Sequence, residues 1–254
     1  MDFFEKIFEN KTPQEMSNIL INLNKFQLNR KEHIKKYNKL RILHSEVLDS
    51  MELYIEKDNY DYNAYYKGIE KSVNKETKCL DIRLDYYDDD DRSILFELFA
   101  YKNHHKIPSI TEIFLDKKKF KNKDKIKMLN SMKNSYVGLF KVIASDRNDG
   151  YITCEDVFTH KKYKVIDIAM SSTLIVRKER MIYTYNRIIT FDDISFFTGI
   201  HCMMTTDNKE LKEFIKKHKY NTCSDFSRCL MLYDLSKKEK NLEVSHNHQY
   251  GNRR

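Results

Sequence analysis

Five short segments between residues 135 and 205 constrain the fold of this chain more than any other feature of its sequence. Each is rich in Val, Ile, Tyr, Phe and Thr, which favour strands, and small polar turns separate one segment from the next. Because a flat sheet of short strands leaves long edges exposed, closure into a barrel is the favoured arrangement. The pattern predicts a small, closed, antiparallel β-barrel of the SH3-like kind, built from SYVGLFKVIAS, GYITCEDVF, KKYKVIDIAM, MIYTYNRIITF and ISFFTGIHCMM.

The residues on both sides of this predicted barrel have helical patterns. Apolar residues recur at three- and four-residue intervals over residues 25–55, with charged residues between them. TPQE at 12–15 and SITE at 109–112 place a capping side chain three positions before a Glu, which is typical of a helix start. We therefore predict an α+β fold with a helical N-terminal region over 1–134, the barrel over 135–205, and C-terminal helices with a polar tail over 206–254.

The stretch DRNDGYITCED, residues 146–156, resembles the start of a calcium-binding loop. A loop of the EF-hand kind needs oxygen ligands at positions 1, 3 and 5 before a Gly at position 6. If Gly150 is that Gly, the cationic Arg147 falls at a ligand position, and strands rather than helices flank the stretch. Asn-Asp-Gly between two apolar runs is instead a strong hairpin signal. We predict a turn between the first two strands.

The chain is basic, with a formal net charge of +8 at pH 7, and part of this excess is concentrated in one segment. DKKKFKNKDKIKMLNSMKN, residues 116–134, has eight Lys and two Asp. Such a segment contacts phosphates through point charges rather than through the bidentate geometry of Arg. The chain is rich in residues with A/T-rich codons, so the sequence leaves open whether these lysines are functional. The candidate phosphate-contacting residues are Lys117, Lys118, Lys119, Lys121, Lys123, Lys125 and Lys127.

The cysteines and histidines give no strong metal or nucleophile signal. Five cysteines are an odd number and widely spread, as expected for reduced thiols in a cytosol. The nearest approach to a zinc set joins two cysteines that have five residues between them to two histidines of the polar tail, and the spacing departs from a zinc knuckle. These residues are Cys223, Cys229, His246 and His248, and the sequence leaves open whether they lie close together. The pairs His104 with His105 and His201 with Cys202 lack an orienting acid, so we expect no catalytic residue and no metal there.

Several classes of enzyme are disfavoured by composition. The five Gly residues are too far apart to build a phosphate-binding loop, so we expect no nucleotide cofactor. The acidic run at 88–91 suggests a two-metal nuclease site, but consecutive Asp residues cannot all point to one ion, and acids before an apolar segment are typical of a helix N-terminus. We therefore interpret the run as a helix start.

FELFAY at 96–101, SITEIFL, SYVGLFKV and EDVFTHKKYKV at 155–165 follow one another in an order that resembles a known group. They are similar to the helical region plus small β-barrel of uncharacterised bacterial proteins that often carry a SEC-C motif. The Cys/His zinc cluster of that motif is absent from this tail, so the resemblance implies an architecture and not a zinc-dependent role. It covers residues 90–200.

These observations lead to one main functional expectation and two alternatives. We expect a non-enzymatic, intracellular and cytoplasmic binding or adaptor protein with a protein partner and no membrane association. The first alternative is a nucleic-acid-associated protein that uses the lysines of 117–133. The second is a hydrolase or nuclease whose carboxylates come from distant segments. The sequence leaves the oligomeric state open.

Overall fold

The fold is that of a β-barrel with helices before and after it in the chain. The computed structural model describes residues 12–57, 71–75, 89–101, 103, 107–174, 181–198, 202–205, 209–218 and 225–238. The predicted α+β fold, with N-terminal helices, a small barrel and C-terminal helices, is confirmed. The polar tail lies outside the described residues.

Two of the helices before the barrel begin at the caps that the sequence predicts. Before the barrel they are α1 (Pro13–Leu28), α2 (Glu32–Lys57), α3 (Asp89–Tyr101), α4 (Ile110–Asp116) and α5 (Lys123–Lys133). Helix α6 (Ile168–Thr173) lies among the strands, and α7 (Lys209–His218) and α8 (Asp225–Lys238) follow them. Thr12 and Glu15 form the predicted capping box, in which each side chain accepts the other residue's amide hydrogen. Ser109 caps α4 by accepting a hydrogen bond from the Glu112 amide at 3.2 Å, also as predicted.

The strands close into a ring of five. They are β1 (Tyr136–Asp146), β2 (Tyr151–Asp156), β3 (Lys162–Ile166), β4 (Ile182–Phe191), β5 (Ile194–Phe197) and β6 (Cys202–Thr205). Their order is β1-β2-β3-β5-β4-β6, and pairing of β1 with β4 completes the barrel. Strand β6 pairs with the N-terminal half of β4, while β5 pairs with its C-terminal half.

One pairing in this ring differs from the prediction of a wholly antiparallel barrel. Strands β3 and β5 pair in parallel, through Ile166 and Phe196. A ring whose neighbours all alternate in direction needs an even number of strands, so a five-stranded ring must contain one parallel pair. The barrel is therefore mixed, with β3 and β5 as its one parallel pair among the described strands.

Two apolar clusters hold the fold together. The barrel interior contains Phe140, Val142, Ile152, Cys154, Val165, Met170, Ile188 and Phe197. A second cluster joins outward-facing residues of the barrel, such as Tyr185 and Phe196, to residues from the helices on both sides of it in the chain. In this layer α2 packs on β5, α5 on β4 and α8 on β6. The helices therefore cover the β4 and β5 side of the barrel.

The turn at 147–150 is the predicted hairpin. It connects β1 and β2, which pair in antiparallel register up to Asp146 and Tyr151, and no helix flanks it. Gly150 has a φ of 71° and is buried, and a side-chain Cβ there would lie 3.3 Å from Leu28 and 3.2 Å from Ile34. Glycine is thus required both by the backbone conformation and by the close approach of the helices.

The carboxylate of the turn is used in an ion pair. Asp149 pairs with Lys31, and that hydrogen bond holds the pKa of Asp149 below its ordinary value. The Asp149 carbonyl oxygen accepts a hydrogen bond of 3.0 Å from Nε2 of His33. Lys31 and the start of α2 therefore hold the tip of the hairpin in place. Among the described residues no group of three His, Cys, Asp or Glu is placed to hold a metal ion.

Candidate functional site

The first part of the lysine-rich segment folds back on an aromatic ring. Lys117 Nζ donates a 2.8 Å hydrogen bond to the Tyr54 hydroxyl. The ammonium of Lys119 lies 4.2 Å from the centre of the Tyr54 ring, within range of a cation–π interaction. These two lysines therefore fix the loop after α4 to helix α2.

Two further lysines of α5 form ion pairs. Lys125 Nζ lies 3.0 Å from a carboxylate oxygen of Glu46 on α2. Lys127 pairs with Asp192 in the turn between β4 and β5. The remaining three candidates, Lys118, Lys121 and Lys123, are exposed, and their side chains make no hydrogen bond or ion pair with another described residue. The segment is thus divided between lysines that anchor it and lysines that face solvent.

A buried ion pair lies where α3 meets the barrel. Arg187 of β4 donates from Nε to Glu97 Oε1 at 2.7 Å, and its side chain is 3% exposed and that of Glu97 13%. Arg187 also donates to Ser135 Oγ at 3.0 Å, and Thr198 Oγ1 donates to Glu97 at 3.3 Å. The guanidinium lies 4.3 Å from the centre of the Tyr101 ring. Burial raises the pKa of Glu97, and Arg187 opposes that effect.

The polar network continues into α2. His44 Nε2 and the Tyr101 hydroxyl are hydrogen-bonded at 2.6 Å. Arg41 donates to the carbonyl oxygens of Phe197 at 2.8 Å and Thr198 at 3.2 Å. Burial, with a smaller contribution from Arg41, lowers the pKa of His44 to about 3. His44 is therefore neutral at pH 7, and the network ties α2, α3, β4 and the end of β5 together.

A small cavity adjoins this network. Its volume is about 10 Å³, and Glu97, Arg187, Tyr185, Asn186 and Cys229 are among the residues that line it. Space of this size holds about one water molecule, whereas small-molecule sites occupy hundreds of Å³. The Glu97–Arg187 pair thus adjoins room for a water and not for a substrate.

We predict that the buried His44 makes the protein less stable in mild acid. Because its pKa is lower in the folded than in the unfolded state, stability is full above the unfolded value of 6.5 and falls as the pH drops towards 3. Between pH 7 and pH 5 the free energy of unfolding should fall by about 2 kcal/mol on this account. His44→Gln keeps a hydrogen-bonding group but does not titrate. Denaturant unfolding at both pH values should show a smaller fall for the variant, and equal falls would contradict the prediction.

A second polar cluster lies at the end of β2. Oδ1 of Asp156 accepts hydrogen bonds from the amides of Phe158 and Thr159, at 3.0 and 2.6 Å, and from the Thr159 hydroxyl. Its Oδ2 accepts from the Tyr136 hydroxyl at 2.9 Å. A Cβ on Gly138 would lie 2.6 Å from that Oδ2, so only glycine leaves room for the carboxylate. Asp156 is 1% exposed and therefore organises the turn between β2 and β3.

The outer surface of β1, β2 and β3 remains open. Lys141, Glu155 and Lys162 lie directly opposite one another on the three strands, and Thr153 lies opposite Lys164. Side chains alternate along a strand, and the neighbours of these residues fill the barrel interior, so these five face outward. All are at least partly exposed. We call Lys141, Thr153, Glu155, Lys162 and Lys164 the open face.

Tyr151 borders this open face, whereas Tyr163 packs against the barrel interior. The ring of Tyr151 is stacked on that of His33, with 5.3 Å between centroids, and the Lys164 ammonium lies 4.0 Å from its centre. Tyr163 stacks on Tyr136 at 5.7 Å, and the Lys161 ammonium lies 5.1 Å from the Tyr163 ring. Half-buried aromatic rings with cations beside them thus lie at both ends of β3.

The remaining sequence candidates are only partly within the described residues. Cys154 is buried in the barrel interior, where burial raises its pKa to about 12. Cys229 is also buried, as expected from its place in an apolar helix. Cys202 begins β6, and Asp89 begins α3, so acids do occupy a helix start. The histidines at 104, 105, 201, 246 and 248 and Cys223 lie outside the described residues.

These features define an α+β protein whose small barrel is covered by helices on one side and open on the other. The chain belongs to a family of unknown function, DUF7986, whose model matches residues 31–245. No curated protein and no solved structure matches it. The expectation of an uncharacterised family is confirmed, and the likeness to proteins with a SEC-C motif stays a resemblance. None of the helices in the described part of the chain is long and apolar enough to cross a membrane.

Proposed function

We propose that this protein is a non-enzymatic binding module that presents the open face of its barrel to a partner protein. The observation that carries the proposal is the asymmetry of the barrel, in which helices bury the outside of β4 and β5, while the charged side chains of the open face are partly exposed on β1 and β2 and exposed on β3. Function resides in the site that a fold presents and not in the fold itself, so this accessible face is where we place the binding of a partner.

The charges of the open face support the same proposal. Lys141 and Lys162 flank Glu155, whose carboxylate is hydrogen-bonded to Nδ1 of His160 at 3.2 Å and is not paired with either lysine. By contrast, Glu97 and Asp156, which are buried, are held by donors from their own surroundings. The carboxylates of the interior therefore stabilise the fold, whereas the outward-facing lysines carry positive charge that can bind a ligand.

A photo-cross-linking amino acid at position 153, in the middle of the open face, tests the proposal. It should capture the same protein from independent preparations of the native cytosol, and the capture should weaken when Lys141 is replaced by Glu. The same amino acid at exposed position 212 on α7 is the control and should not capture that protein. Equal capture at both positions, or none at 153, would refute the proposal.

A second candidate function is binding of nucleic acid through the lysine-rich segment. It is favoured by the exposure of Lys118, Lys121 and Lys123, which no described ion pair neutralises. If each contacts a phosphate, replacing all three by Gln should reduce the slope of log K against log salt by about 2.7 on duplex DNA. Lys212→Gln is the control and should leave the slope unchanged. Absent or salt-insensitive binding by the unaltered protein would rule this candidate out.

A further inference from the structure

We propose that the open face binds a short acidic segment of the partner protein, in which one apolar residue lies between two carboxylates. This inference rests on the proposed function, because it names the chemistry of the partner that the same face would bind. Three features support it, namely the charges of the face, an apolar patch on β1 and the engaged aromatic ring at the border. The contact is made by side chains that lie on the surface of the sheet.

The open face carries more positive than negative charge. Its three lysines and one glutamate give it a formal charge of +2. Lys162 and Lys164 are exposed, and Lys141 is partly exposed. The acid, Glu155, already has a hydrogen-bonding partner in His160, at 3.2 Å from Nδ1. Because opposite charges attract across an interface and like charges repel, the face favours an acidic ligand.

A β-bulge in β1 adds an apolar patch to this face. The register of β1 on β2 shifts between Val142 and Ala144, so Ile143 is the extra residue. Val142 lies in the barrel interior, whereas the side chain of Ile143 is 38% exposed. Ala144, which lies opposite Thr153, is exposed as well. The bulge therefore turns two consecutive residues outward, where strict alternation would turn only one.

The spacing of two lysines around this patch defines the ligand. Lys141 and Lys164 lie at diagonal corners of the face, two strands apart and two residues apart along the strands. From the usual spacings within a sheet, their Cα atoms are separated by about 12 Å. Residues one and five of an extended segment are about 13 Å apart, and residue three points the same way. Acids at the first and fifth positions would therefore reach the two lysines, with an apolar third residue on Ile143.

The aromatic ring at the border favours a peptide over a nucleic acid. Single strands bind through bases that stack on aromatic rings as well as through their phosphates. The Tyr151 ring is already stacked on His33, and the Lys164 ammonium lies 4.0 Å from its centre. A phosphate backbone would also leave Ile143 uncovered. A second copy of the open face would place lysines against lysines, which is unfavourable. An acidic segment with one apolar residue uses both the charges and the patch.

A labelled heptapeptide, Ser-Glu-Ser-Leu-Ser-Glu-Ser, is the probe for this inference. Fluorescence anisotropy should show that it binds the full chain, and that Lys141→Glu and Lys164→Glu each weaken binding by about fivefold or more. Lys212→Glu, at an exposed lysine of α7, is the matched control and should leave the affinity unchanged. Absent binding, or unaltered affinity in both variants of the open face, would overturn the inference.

The apolar contact is tested separately from charge attraction. Ile143→Ser should weaken binding by about fivefold, because less apolar surface is buried. Ile42→Ser, at a residue of α2 that is 61% exposed, is the control and should have no effect. A peptide with Ser in place of Leu should bind more weakly to the unaltered protein and should lose little more with Ile143→Ser. Equal effects of Ile143→Ser on both peptides would overturn the inference, as would tighter binding by a single-stranded DNA of equal charge.

The failure of this inference is distinguishable from failure of the proposed function. If cross-linking at position 153 captures a partner while the acidic peptide does not bind, the open face is a binding surface but the chemistry assigned to its partner is wrong. If the peptide binds as expected and position 153 captures nothing from the cytosol, the face has the stated chemistry and the proposed function is wrong.

Discussion

Replacing Arg187 by Met should lower the free energy of unfolding by about 3–5 kcal/mol, because the buried Glu97 carboxylate would lose its cation. The same change also removes the donor to Ser135 and the cation beside the Tyr101 ring. Equilibrium unfolding in urea at pH 7 measures the loss. Arg30, an exposed arginine between α1 and α2, is the control, and Arg30→Met should cost less than about 0.5 kcal/mol.

A double variant distinguishes loss of the ion pair from loss of packing. Replacing both partners, Arg187 by Met and Glu97 by Leu, removes the unpaired charge and should recover a large part of the stability. If the double variant is as unstable as the sum of the two single variants, the two side chains are not coupled. A cost below about 1 kcal/mol for Arg187→Met would equally contradict the role given to the pair.

Replacing Asp156 by Ala should cost about 3 kcal/mol or more, since four donors would lose a charged acceptor and a hydrogen bond to a charged group contributes about 1.5–3 kcal/mol. Urea unfolding again gives the measurement. Asp193, an exposed acid in the turn between β4 and β5, is the control, and Asp193→Ala should have little effect. A similar loss of unfolding free energy in both variants would contradict the role given to Asp156 in the turn between β2 and β3.

Gly138 provides an independent check on the same cluster. Because a Cβ at this position would meet the Asp156 carboxylate at 2.6 Å, Gly138→Ala should be destabilising in the unaltered protein. The cost should be smaller when Asp156 is already Ala, since the closest clash is gone. Equal costs in the two backgrounds would mean that the carboxylate does not require the glycine.

The hairpin and the helix starts could be predicted because short stretches of sequence determine them. Asn148, Asp149 and Gly150 tolerate the backbone angles of a tight turn whatever lies elsewhere in the chain. The caps Thr12 and Ser109 bond amides three residues away. Turn preferences and caps of this kind involve residues close in sequence, so they do not depend on contacts with the rest of the chain.

The sequence indicates which two residues form the buried ion pair, but it does not show that they pair with each other. Arg187 alternates with Tyr185, Ile189 and Phe191 along β4, so it occupies an apolar face where a cation needs an acid. Glu97 similarly interrupts the apolar run ILFELF. The two are ninety residues apart in sequence, and only the packing of α3 on the barrel brings them together.

For the lysine-rich segment, too, the sequence predicts one property and the tertiary structure decides another. Its charge was evident from the sequence, but which lysines are available was not. Lys117 and Lys119 are anchored by Tyr54, which lies on a helix more than sixty residues earlier in the chain. Lys118, Lys121 and Lys123 have no such side-chain contact with another described residue, and only the tertiary structure shows this.

The sequence by itself determined the secondary structure elements of this protein, which are strands separated by turns and helices that begin at caps. It also predicted that the short strands close into a barrel. Tertiary structure alone decided which way the ring closes, which barrel face the helices cover and which charges are buried. The physical reason is the range of the interactions. Backbone preferences and caps act over a few residues, whereas closure and burial depend on contacts between distant segments.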